Sequence, residues 1–248
     1  MSAPGRSAPA APDWLRQVPL AHRGLHGAGV PENSLAAFGA AVEAGYGVEL
    51  DVQLAHDGVP VVAHDPSLER VLGVEARVED LTSAQLAELA GDHAAGVVPT
   101  LSAALARLRD VPVMVELKQF SLHAGALERC TAQLLDGHPG PWCVAGFNPV
   151  SLRWFRRRRP DAVRVLTAGP LASVPVPAAL RRRLARLRDL SAVAPHAVSY
   201  ELAALPTPAT DAWRAAGGAL VAWTAADAEA LQRARRLADN VIFEGVRP

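Results

Sequence analysis

Short apolar runs recur along the chain, each followed by a stretch in which apolar residues return every three or four positions. Runs at 19–22, 48–53, 113–118, 142–147, 164–167, 197–201, 219–224 and 240–244 have the length and side-chain character of strands. Between them, 34–45, 101–109, 123–136, 149–158, 177–190, 207–216 and 226–237 carry the helical period. Strand and helix in alternation imply right-handed crossovers and a parallel sheet, and eight such units close into a barrel. The pattern predicts an α/β protein with the architecture of a (β/α)8 TIM barrel. No helical stretch follows the eighth strand, so the last helix is missing or replaced, and segment 13–18 is expected to cover the gap.

The beat breaks once. After the second strand, 55–58 reads as a tight turn and 59–64 as a returning strand, which makes 49–64 a hairpin. A loop and a short helix near 83–90 follow, with Leu81, Thr82 and Ser83 as its start. An insertion of about 54–98 on the second connection walls one side of the barrel's mouth. Residues 1–12, rich in Ala, Pro and Ser, are expected to form a disordered tail, leaving 13–248 as one barrel domain.

Composition narrows the partners. The 248 residues are 50% hydrophobic, enough to bury a large core, and the formal net charge is zero, so no global field favours nucleic acid. Arginines cluster at 156–159 and at 181–188, but Leu180, Leu184 and Leu187 recur at helical spacing in the second cluster. Its arginines read as the wet face of an amphipathic helix, with peripheral contact to an anionic membrane as the lesser alternative. Cys130 and Cys143 lack metal-ligand spacing and fit a reducing cytoplasm. No secretory h-region opens the chain and no apolar run approaches the roughly 20 residues of a membrane span. A soluble cytoplasmic protein without stable membrane insertion is expected; the sequence carries no signal for its oligomeric state.

The polar residues at strand ends carry the chemistry. His22 and Arg23 end the first run, Glu49 and Asp51 lie in the second, His64 and Asp65 end the hairpin, and Glu116 and Lys118 lie in the next strand. Residues two apart in a strand share a face, so Glu49 and Asp51 project together, as do Glu116 and Lys118. Acids side by side on a buried face repel and are costly to desolvate without a cation between them. Three carboxylates suit a hard divalent cation, Mg²⁺ or Ca²⁺ with Mn²⁺ as a further choice; zinc would recruit His or Cys. Two imidazoles can move protons, and Arg23 and Lys118 can hold phosphate. Lys118 is the chain's only lysine. His26, His56, His93, His123, His138 and His196 lack that context and read as surface or structural, Asn33-Ser34 as a helix cap and Gly58 as a turn residue.

Several strings extend this reading. HRGLHGAGVPENSLAAF at 22–38, ELDVQLAHDGVPVVAHD at 49–65, VPTL at 98–101 and VELK at 115–118 resemble the glycerophosphodiester phosphodiesterase family in order and spacing. Weaker similarity continues at Gly146-Phe147-Asn148, at Trp223-Thr224 and in the closing strand. The resemblance implies α/β barrels with a small insertion. It further implies His22 and His64 as the acid/base pair, Glu49, Asp51 and Glu116 as metal ligands, and Arg23 and Lys118 as phosphate contacts. Phe147 and Trp223 are expected to supply an apolar wall for the substrate. Two positions depart from the family's pattern: Ala226 stands where an Asn is common, and Glu244 where an Asp is. Both are expected on the substrate side of the mouth.

The expected reaction is hydrolysis of a small-molecule glycerophosphodiester to glycerol 3-phosphate and an alcohol. Two alternatives stand beside it: lysophospholipase D-type cleavage of lysophospholipids, and a non-catalytic barrel that binds phosphodiesters.

Overall fold

The computed structural model describes residues 9–91, 97–119, 123–171 and 177–248. Eight parallel strands close a barrel: β1 (Leu20–His22), β2 (Gly47–Leu54), β4 (Val113–Leu117), β5 (Trp142–Gly146), β6 (Arg164–Ala168), β7 (Ala197–Glu201), β8 (Ala219–Ala225) and β9 (Asn240–Phe243). Neighbours pair in the order β1-β9-β8-β7-β6-β5-β4-β2, and a direct β1–β2 pairing shuts the ring. The short β3 (Pro60–Val62) runs antiparallel to β2, with Val52 opposite Val62 and Leu54 opposite Pro60, so the expected hairpin forms.

Strand alternation sorts the side chains into two cores. Val48, Leu50 and Val52 of β2 and Val113, Val115 and Leu117 of β4 face outward into the layer between sheet and helices. Leu20, Met114, Cys143, Val165, Ala197, Ala219 and Ile242 fill the barrel's interior from the opposite face. Gly47 belongs to that crowded base, since a Cβ there would lie 2.6 Å from a Leu20 methyl.

Most outer helices start at a polar cap just beyond a strand or loop. Ser34 Oγ accepts the Ala37 N–H at the start of α2 (Leu35–Glu43), and Thr100 does the same for α5 (Leu101–Arg107). Asn148 caps α7 (Pro149–Arg158), Thr207 caps α10 (Pro208–Ala215) and Asp227 caps α11 (Ala228–Leu237). Each cap contributes about 1 kcal/mol. Between β4 and β5 lies α6 (Ala126–Asp136).

Two expectations change. The segment expected to stand in for a helix after β9 is α1 (Asp13–Gln17), and it plugs the barrel's amino-terminal end instead. Leu15 is fully buried in the interior cluster, and Asn240 Nδ2 donates to the Leu15 and Val18 carbonyls at 3.0 and 2.7 Å. The barrel base is an apolar opening that needs a lid, and Leu15 fills it. The Arg-rich helix expected over 177–190 divides into α8 (Ala178–Ala185) and α9 (Leu190–Val193). Leu187 sits in the left-handed region at φ 49°, and buried Asp189 turns back to take Arg183 in a forked ion pair. The arginines of α8 remain on the wet face.

The connection after β2 builds a satellite core of its own. Besides the hairpin it contains α3 (Glu69–Leu72), a 3-10 turn at Val78–Asp80 and α4 (Ser83–Gly91). Thr82 and Gln85 cap each other reciprocally at the start of α4. Leu68, Leu72, Val78 and Leu86 pack with Val61, Ala63, Val97 and Val98. Among the described residues no helix is long and apolar enough to cross a membrane.

If Leu15 closes the base, Leu15→Ala should cost about 2–5 kcal/mol. A melting curve would show it, with the mouth's ligand binding retained at low temperature; an unchanged melting temperature would mean that α1 is dispensable.

Candidate active site

The mouth collects the predicted polar residues because β1, β2 and β4 are in register. His22 lies beside Glu49, and Asp51 beside Glu116. Glu49, Asp51 and Glu116 are 3%, 1% and 7% exposed and face inward, opposite to the valines of their strands. So much buried acid needs compensation, and the structure supplies part of it. Lys118 Nζ sits 2.8 Å from Asp51 Oδ1 and 2.6 Å from Glu116 Oε1. Burial opposes the lysine's charge, but Asp51 and Glu116 outweigh it and hold its pKa above the ordinary value. Asp51 shows the complement: burial disfavours its charge, yet Lys118, His64 and Arg23 keep it far below the usual range. Glu49 goes the other way, its carboxyl pushed well up by burial and then by Asp51 and Glu116.

The loop after β1 folds so that its backbone serves the same cluster. Arg23 adopts φ 55°, which aims its N–H at Glu49 Oε2 at 3.2 Å, while its carbonyl accepts from Asn33 N at 2.8 Å. Gly24 must follow in the left-handed region, where a Cβ would lie 2.8 Å from that of Ala37. Ser34 caps the helix as expected, but Asn33 does not: at φ 51° it turns inward, and its Nδ2 donates to Asp51 Oδ2 at 2.9 Å. Arg23 Nε approaches Asp51 Oδ2 at 3.4 Å and has no hydrogen-bond partner, and Asn33 Oδ1 is also buried without one.

Each predicted histidine is held by a carboxylate. His22 Nδ1 lies 2.6 Å from Glu244 Oε2, and His64 Nδ1 lies 2.6 Å from Asp65 Oδ1. Holding Nδ1 fixes the ring's orientation and tautomer and leaves Nε2 as the nitrogen that can exchange a proton. His64 is held below its ordinary pKa, chiefly by burial, with Asp51 opposing the shift. Gln53, inward-facing on β2, donates to the Ala63 and Asp65 carbonyls at 2.9 and 2.8 Å and so pins the backbone on both sides of His64.

Sequence reasoning missed the partners. Glu244, expected on the substrate side, is the residue that orients His22. His26, read as surface or structural, brings its Nε2 within 3.8 Å of the same Glu244 oxygen. Glu32 accepts from Arg23 Nη1 at 2.7 Å. Arg70, on α3 in the insertion, donates to both Glu32 oxygens at 2.9 and 2.7 Å and to Asp65 Oδ2 at 2.5 Å. One guanidinium thus braces the carboxylates behind Arg23 and His64. The period-3.6 signal cannot show a four-residue helix, so Arg70 was invisible. Of the other histidines, His196 Nδ1 accepts the Arg164 N–H at 3.1 Å, a structural role, and His93 lies outside the described residues.

Phe147 and Trp223 meet edge to face, with ring centroids 5.6 Å apart. Trp223 Nε1 is buried without an acceptor.

Comparisons with known proteins identify the family. Residues 22–243 match the Glycerophosphoryl diester phosphodiesterase family, and the chain belongs to it. A glycerophosphodiester phosphodiesterase of Caldanaerobacter subterraneus is 33% identical over 59% of the chain and 64% of its own length, a little under two thirds. A probable glycerophosphodiester phosphodiesterase of Mycobacterium tuberculosis is 30% identical over 84% of the chain and 79% of its own length. The fold is that of an Oleispira antarctica phosphodiesterase solved with its product sn-glycerol-3-phosphate, at TM-score 0.76, 22% identity and coverage of 91% and 92% of the two chains.

Arg70→Gln should release both braces at once and lower turnover of a phosphodiester by about ten- to a hundred-fold. Arg70 is half exposed, so the melting temperature should move little. Arg70→Lys, which cannot make the fork, should behave like Arg70→Gln. Wild-type kinetics in both variants would contradict the bracing role.

Proposed function

We propose that the chain hydrolyses water-soluble glycerophosphodiesters to glycerol 3-phosphate and an alcohol. The observation that carries this reading is the pair of histidine–carboxylate couples, His22–Glu244 and His64–Asp65, flanking a buried acidic cluster with Arg23 and Lys118 beside it. Family membership supports the substrate class.

A divalent cation suits the cluster. Glu49, Asp51 and Glu116 offer only oxygen donors, Asn33 Oδ1 is a further buried oxygen without a partner, and Lys118 and Arg23 leave the acid in excess. Such a set favours Mg²⁺, Ca²⁺ or Mn²⁺ over zinc. Glu49, Asp51 and Glu116 would hold it, and when bound it supplies Lewis-acid polarisation of a phosphate oxygen.

The remaining steps belong to the protein's own groups. Arg23 has an unpaired Nε, and Lys118 has spent two of its three donors on Asp51 and Glu116. Both retain capacity for a phosphate oxygen, and both carry charge that stabilises negative charge growing there. One histidine takes through Nε2 the proton of the nucleophile, either water or a glycerol hydroxyl whose cyclic phosphate water then opens, and the other gives a proton to the alcohol oxygen as its bond to phosphorus breaks. Phe147 and Trp223 exclude water from the side where the glycerol or its alcohol rests.

Phosphorus NMR of glycerophosphocholine incubated with the protein tests the reading. Glycerol 3-phosphate should appear with Mg²⁺, Ca²⁺ or Mn²⁺ and disappear on chelation. Glu49→Gln should lose both turnover and the rise in melting temperature that metal confers by mass action. Full turnover by metal-free protein would overturn the metal assignment, and no turnover of any glycerophosphodiester would overturn the function.

The histidines separate by leaving group. His22→Ala and His64→Ala should both be crippled on glycerophosphocholine. A nitrophenyl diester of the same phosphoglycerol leaves without a proton, so it should rescue the variant lacking the acid far more than the one lacking the base. Near wild-type rates in both variants on the natural diester would sink the paired-histidine mechanism.

A further inference from the structure

Beside the acidic cluster, and sharing no residue with it, His22, His26 and Glu244 converge. One ligand atom from each lies within 4.8 Å of the others. Glu244 Oε2 is 2.6 Å from His22 Nδ1 and 3.8 Å from His26 Nε2. The third ligand is independent of the histidine couple: His26 Nε2 is buried, aimed at the cluster, and has no hydrogen-bond partner. An imidazole nitrogen left in that state is ready to donate its lone pair. The side chains are 19%, 24% and 35% exposed for His22, His26 and Glu244, so a cation can enter from the mouth without unfolding the loop.

The donor set differs in kind from that of the carboxylates. Two imidazoles and one carboxylate are the ligands of a borderline cation, zinc above all, in a three-ligand site that leaves a fourth position open. Glu49, Asp51 and Glu116 offer oxygen alone and favour hard cations. We propose that His22, His26 and Glu244 form a second, inhibitory metal site that takes Zn²⁺ and, in doing so, captures the histidine used for proton transfer.

The inhibition rests on the catalytic reading of His22; the binding does not. Zn²⁺ on Nδ1 replaces the carboxylate that holds that nitrogen. A ring metallated at Nδ1 keeps its proton on Nε2 and has no lone pair there to accept another. His22 can then no longer serve as a base, nor be recharged after acting as an acid. The enzyme would stop whichever of the two proton transfers His22 performs.

The test uses the metal alone. Metal-free wild-type protein and a Glu49→Gln, Glu116→Gln variant are titrated with Zn²⁺ by calorimetry, and His26→Ala is titrated in parallel. One zinc should bind the carboxylate-depleted variant as tightly as the wild type, and His26→Ala should weaken that event at least tenfold. X-ray absorption at the zinc edge of the wild type should report two imidazole ligands, falling to one in His26→Ala, which keeps the test decisive if the carboxylate variant does not fold. With saturating Mg²⁺, Zn²⁺ should inhibit wild-type turnover of glycerophosphocholine, and His26→Ala should need at least ten times more zinc to lose half of its own zinc-free rate. Zinc bound with oxygen ligands only, or bound equally well by His26→Ala, would overturn the site. Zinc bound through both imidazoles without any diester turnover would uphold the site and count against the catalytic reading instead.

Discussion

Everything at the mouth of this barrel follows from burying three carboxylates within two neighbouring strands. Strand geometry puts Glu49, Asp51 and Glu116 on the inner face, where water cannot solvate them. An uncompensated buried acid of this kind costs about 3–5 kcal/mol. The surrounding residues make sense as compensation. Lys118 bridges two of the acids, Arg23 turns into a left-handed backbone to reach the third with its N–H, and Asn33 gives up helix capping to bond Asp51. The compensation is incomplete at Glu49, whose carboxyl is pushed up. A divalent cation would relieve that repulsion and hold all three carboxylates charged.

A second tier holds the first in place and ties it to the insertion. Arg70 reaches from α3 to Glu32 and Asp65, and these carboxylates orient Arg23 and His64. The connection after β2 does more than wall the mouth. Its satellite core of Leu68, Leu72, Val78 and Leu86 sets the position of α3, and through Arg70 that packing is felt at Arg23 and His64. His22 is anchored differently, by Glu244 just past the last barrel strand, so closure of the barrel itself positions it.

The alternation of apolar and polar residues was sufficient to read the barrel, the hairpin and the shared face of the acids, because these depend on neighbours in sequence. Asn33 and Ser34 show the limit: both are good caps, and only the approach of Asp51 in three dimensions assigns one to the helix and the other to the site. The His22–Glu244 contact spans nearly the whole chain, and no local pattern predicts it. His26 and Arg70 lie in a loop and a single helical turn, which carry no period at all. The break of the Arg-rich helix at Leu187 depends on buried Asp189, and Leu15 reads as one turn of amphipathic helix until the open base of the barrel is seen to need it.

The central claim is that a hard cation rests among Glu49, Asp51 and Glu116, between two carboxylate-held histidines. Anomalous diffraction from crystals grown with Mn²⁺ as the only divalent metal locates the ion directly. The account predicts one dominant peak bonded to oxygens of all three carboxylates, with His22 and His64 on the mouth side and outside its coordination sphere. A peak bonded to His22, His26 and Glu244 with none at the carboxylates would contradict it.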